Sequence, residues 1–114
     1  MKTIIGLFIL LSISACTSIK TKEPFCSGPE NWPASMAYVK LKNAKIIKSP
    51  IEPNKTKVSM IMSKKIGSDL YRQIHDVEYW DTMENYYRLF TISDASSEEC
   101  SMSDVQVFLV DEVK

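Results

Sequence analysis

The chain of 114 residues has one histidine, three glycines and three cysteines, and each scarcity removes a kind of chemistry. With His75 alone, a Ser-His-Asp set would need an activated serine, and there is no G-x-S-x-G. A Cys-His nucleophile would need Cys26 or Cys100 to be free and close to His75. A zinc site normally draws on several Cys or His ligands, so neither metal nor cofactor is expected. Three glycines make no phosphate-cradling loop. Without a C-x-x-C, the cysteines do not read as a redox motif. The longest apolar run, Ile4 to Ile13, is about half of the ~20 residues that a membrane-spanning helix needs.

That run follows Met1-Lys2-Thr3 and precedes small residues, which is the layout of an export signal. Ile13-Ser14-Ala15-Cys16 then resembles the bacterial lipobox. The resemblance implies diacylglycerol on the Cys16 thiol, cleavage before Cys16 and acylation of the new N-terminus with a palmitate-type chain. Two or more acyl chains give stable anchoring, at about 0.8 kcal/mol per buried methylene. Thr17, where an Asp would favour inner-membrane retention, points to an outer-membrane lipoprotein facing the periplasm. The expected organisation is a signal peptide over 1–15, a lipidated tether over 16–25 and one globular domain over 26–114.

With Cys16 given to lipid, Cys26 and Cys100 remain. The periplasm is oxidising, so they are expected to form one disulfide, an effect of about 4 kcal/mol in the chain-entropy model. Thr17 to Pro24 is polar and aperiodic, as a tether should be.

The formal net charge is zero, but its distribution is not even. Lys40 to Lys65 holds eight lysines against Glu52 alone, and Asp69 to Glu112 holds eleven acids against Arg72 and Arg88. The default reading is two solvated faces that neutralise each other; the functional one is a two-signed surface that steers a charged partner. Nucleic acid is not expected in that compartment.

Asn31 can cap a helix and Pro33 suits its first turn. Ala34, Ala37, Tyr38, Leu41 and Ala44 then share one helical face, although Val39 to Lys42 also alternates as a strand would. Prolines 50 and 53 mark a loop. Strands are expected around Val58–Met62, Leu70–Trp80, Tyr86–Ile92 and Val105–Leu109, with turns at Gly67–Asp69 and Asp81–Asn85 and a polar loop holding Cys100. Short connections favour a meander. The expected class is α+β: one N-terminal helix packed on an antiparallel sheet of about four strands.

Glu98 and Glu99 in the loop read as solvated, and the methionines as core filling. The aromatics offer more. Trp32, Tyr79, Trp80, Tyr86 and Tyr87 are many for so small a domain, and Trp80 and Tyr86 flank a turn; they either complete a thin core or anchor a protein interface. The candidate binding set is Asp76, Glu78, Tyr79, Trp80, Asp81, Glu84 and Tyr86, an acidic sheet surface for a basic site. The Asp94–Ser103 stretch and the Trp32-Pro33 pair resemble small enterobacterial-type periplasmic lipoproteins, some of which guard against toxins. That resemblance implies no enzyme but an immunity or inhibitor protein whose partner is a toxin or hydrolase. An envelope protein is the other partner considered, for an accessory of outer-membrane assembly.

Overall fold

The computed structural model describes residues 24–114. Its regular elements are a helix α1 (Trp32–Asn43), a short 3₁₀ turn (Pro53–Lys55) and strands β1 (Lys57–Gly67), β2 (Leu70–Trp80), β3 (Tyr86–Ala95) and β4 (Gln106–Val113). The four strands form one antiparallel sheet in the order β1-β2-β3-β4, so the α+β class and the meander are present. The Cys26–Cys100 disulfide is also present, across a sequence separation of 74. Residues 1–15, Cys16 and most of the expected tether lie outside the described residues. No described helix is long and apolar enough to cross a membrane.

One expectation needs correction: α1 is not N-terminal. It follows a stretch that already belongs to the fold, since Pro24 is buried and its carbonyl accepts a bond from Gln73 Nε2 at 2.9 Å. Asn31 stands at the N-cap in extended backbone and Pro33 lies in the first turn, as read. Asn31 makes no side-chain capping bond, so the proline's fixed φ and the buried face do more to set this start. At the other end Lys40 and Lys42 complement the helix dipole. Lys45 takes the left-handed φ of 62°, its N–H donating to Lys42 O and that of Ile46 to Leu41 O. This is a Schellman closure with lysine where glycine is usual. Ala44 therefore caps the helix and is exposed rather than extending the apolar stripe.

The sheet has two unlike faces, because successive strand residues point opposite ways. On the inner face, Val77, Tyr79, Tyr87 and Leu89 meet Ala34, Ala37 and Leu41 of α1 and Ile47 of the following loop. Each large apolar side chain buried here contributes about 1.5–3 kcal/mol. Small alanines on α1 let the helix approach the sheet, and Tyr79 Oη donates to Ala34 O, satisfying a group that burial would otherwise penalise. The other half of the inner face is polar. Gln73, His75, Thr91 and Ser93 are all buried there, and the Pro24–Ser27 strap, fixed by Cys26–Cys100, reaches it at Gln73.

The two central strands pair without interruption from Tyr71↔Ala95 to Trp80↔Tyr86. Both edge strands are irregular. Bulges in β1 fall at Ile61 and Ile66, and one in β4 falls at Val110. Such bulges blunt an edge against pairing with other chains.

Candidate functional site

The outer face of the sheet carries the even-numbered residues of β2 and β3. Among the described residues the single helix packs on the inner face, so no helix covers this one. Its central strands are half-buried by their own neighbours, while β1 and β4 are largely exposed.

One end of the face is an ordered aromatic and charged cluster. The rings of Trp80 and Tyr86, direct cross-strand partners, lie 4.8 Å apart at 53°. Lys57 Nζ from β1 sits 5.5 Å from the Trp80 ring centre, a cation–π geometry. Tyr86 Oη donates to Glu78 Oε1 at 2.6 Å. Arg88 donates to both oxygens of Asp76, at 3.1 and 2.7 Å, while its guanidinium lies 5.7 Å from the Phe90 ring centre. Both polar bonds run diagonally across the strand pair, where long side chains can still meet. Farther along, Arg72 holds its direct partner Asp94 with two bonds, at 2.9 and 3.2 Å. Between the two ion pairs run Ile74, Phe90 and Ile92, flanked by exposed Met62 on β1 and Phe108 on β4.

These contacts set the electrostatics. Burial, then the bond to Glu78, pushes the Tyr86 phenol up to about 12. The hydrogen bond to Asp76 raises the Arg88 guanidinium, and Asp94 does the same for Arg72. Exposed pairs of this kind add little to stability because solvent screens them, so their main effect is to fix side-chain positions on the face. An open groove of about 310 Å³ lies beside Trp80, lined by Asn54, Lys55 and Lys57.

The expected binding residues divide. Asp76, Glu78, Trp80 and Tyr86 come together on the outer face. Tyr79 does not: it points into the core, fully buried, and desolvation raises its phenol strongly. Asp81 does not either. It is 2% exposed and accepts bonds from Met83 N, Asn85 N and Asn85 Nδ2 at 2.8–2.9 Å, which organise the β2–β3 turn. Burial pushes its carboxyl up, but the donors of Asn85 and Met83 outweigh this and hold it below the usual range. Glu84 is exposed at the turn tip with φ 64°. The acidic surface is thus smaller than expected, with Asp76 matched by Arg88 and Glu78 by Tyr86.

Lys57, Arg88, Phe90 and Phe108 also belong to the face, outside the expected binding set. The signal was available: pairing Trp80 with Tyr86 across the turn fixes the whole β2–β3 register, which sets Arg88 opposite Glu78. His75, the single histidine, is fully buried, and neither ring nitrogen has a partner among the described residues. Burial lowers its pKa. Among the described residues no group of acidic, His and Cys side chains could hold a metal ion. Comparison of the chain with protein-family models, curated proteins and solved structures gives no match.

Proposed function

We propose that this is a lipid-anchored periplasmic binding lipoprotein of the immunity or inhibitor type, which occludes a toxin or hydrolase with the open face of its sheet. One observation carries the reading. The outer face presents Trp80 and Tyr86 in contact, with Phe90 and Phe108 beyond them, and the charges around them are held by bonds within the face. Rigid aromatics in a pre-ordered polar rim are what dominate binding energy in protein interfaces. Because the charges are internally matched, the partner surface that fits is apolar with a few donors and acceptors, rather than simply basic.

The test is survival. A deletion strain is exposed to toxin-delivering competitors and complemented with wild type, Trp80→Ala or Phe108→Ala. Wild type restores survival and the two variants do not, each having lost roughly 2 kcal/mol or about thirtyfold in affinity. Unchanged survival of the deletion strain sinks the proposal. If outer-membrane protein levels fall instead, the alternative of an envelope-assembly accessory takes its place.

A further inference from the structure

Strand β1 differs from the rest of the sheet in charge and in exposure. Lys57, Lys64 and Lys65 lie on it, none with an ion-pair partner among the described residues; Lys57 rests over Trp80 and Lys64 shares its face, while Lys65 lies on the other side of the strand. Glu78, opposite Lys57 in register, is engaged by Tyr86. Ile61, between Lys57 and Lys64, is 55% exposed, and Ile66, just after Lys65, is 40% exposed, each at a bulge that thrusts it out of the ladder. A solvated edge strand needs the lysines and the bulges; it does not need two exposed isoleucines.

The place where the chain enters the fold is also telling. Gln73 Nε2 donates both to Pro24 O, at 2.9 Å, and to Ser63 Oγ of β1, at 3.2 Å. The first described residue therefore adjoins β1, next to Lys64 and Lys65. Residues 17–23 separate it from Cys16. Fully extended, they reach roughly 25 Å. A lipid at Cys16 would keep this end of the sheet within that distance of a bilayer; counted from Gln73 on β2, β1 is one strand away and β4 two, a difference of about 5 Å.

We propose that β1 is a membrane-facing edge on which Lys57, Lys64 and Lys65 bind anionic phospholipid headgroups while Ile61 and Ile66 reach the acyl boundary. The proposal rests on the lipid anchor argued above. Charge complementarity and the short leash favour a phospholipid surface over a second copy of the chain, and the bulges disfavour strand addition. Contact is at headgroup depth, because the unpaired backbone groups of an edge strand cannot enter hydrocarbon.

The full-length exported protein is placed in vesicles of phosphatidylcholine alone or mixed with phosphatidylglycerol, and amide hydrogen exchange is followed by peptide. Exchange in β1 slows with phosphatidylglycerol by at least about fivefold, the factor one lysine contributes at an anionic surface. Exchange in β4 does not change. The triple variant Lys57→Gln, Lys64→Gln, Lys65→Gln abolishes the difference yet stays vesicle-bound through its lipid. Equal β1 exchange in both vesicles, with lipid on Cys16 verified by mass, overturns the proposal. A bare Cys16 overturns the anchor instead; sedimentation of that protein with the two vesicle types then decides, and no preference for phosphatidylglycerol overturns the edge as well. Protection of β1 that grows with protein concentration without vesicles assigns the edge to self-association and also overturns it.

Discussion

Tyr86 donates its phenolic hydrogen bond to Glu78 across the β2–β3 pair, two residues off the direct register, so that the ring is free to pack against Trp80. The bond can be followed by titration. Ultraviolet absorbance should show one tyrosine ionising near 12 rather than at the ordinary 10.0. Glu78→Gln moves it down, leaving the part due to burial. Because the folded value is raised, the proton on Tyr86 stabilises the fold fully below pH 10 and this contribution is lost as pH rises through about 12.

Asp81 separates a structural role from a binding one. Asp81→Ala removes the acceptor of three hydrogen bonds in the β2–β3 turn and should cost about 2–3 kcal/mol. Thermal unfolding measures this. Partner affinity of the folded variant should stay near wild type, whereas Trp80→Ala reverses the pattern. A loss of affinity at full stability in Asp81→Ala would return this residue to the binding surface.

The disulfide closes a loop over most of the described residues. Replacing both Cys26 and Cys100 with Ser should lower stability by about 4 kcal/mol, read as a fall in denaturation midpoint. Hydrogen exchange should rise first in the Pro24–Ser27 strap, which then loses its covalent link to the β3–β4 loop and keeps the Gln73 bond, and last in β2 and β3.

His75 predicts sensitivity to acid. Burial holds its folded pKa below the ordinary 6.5, so the unfolded chain binds the extra proton first. Stability is complete above about pH 6.5 and falls as the pH drops through the interval between the two values. The carboxyls of Asp81 and Asp104, held below their ordinary 3.8, act only at lower pH. Melting temperature measured from pH 7 to 5 should therefore decline, and His75→Gln should flatten the slope. Each 1 kcal/mol corresponds to about 4–8 °C in a domain of this size.

Much of this architecture is legible in the residues, and its failures have causes. Cys26 and Cys100 pair as expected once Cys16 is set aside. The alternation of β2 places Tyr71, Gln73, His75, Val77 and Tyr79 together. Which face is covered is harder to see, because the buried side holds Gln73 and His75 while the open side holds Ile74 and Trp80. Hydropathy scarcely separates them; the position of α1 and the strap does. Sequence adjacency groups Tyr79 with Glu78 and Trp80, yet strand parity puts it with Val77 in the core. Asp81 reads as acidic surface until its place at the head of a tight turn is given weight, where a short carboxylate bonds the backbone ahead of it. The end of α1 carries no marker, since lysine rarely takes the left-handed position that Lys45 occupies.

The covalent link from the strap to the β3–β4 loop has a mechanical consequence. Tension applied between residue 24 and β4 follows the backbone to Cys26, crosses to Cys100 and continues to Val113. Residues 27–99 hang from that path as a closed ring and cannot be drawn out end to end. Helix α1 and the three strands β1 to β3, with Trp80 and Tyr86 among them, are thereby shielded from a pull between residue 24 and the end of β4, which peels β4 away first.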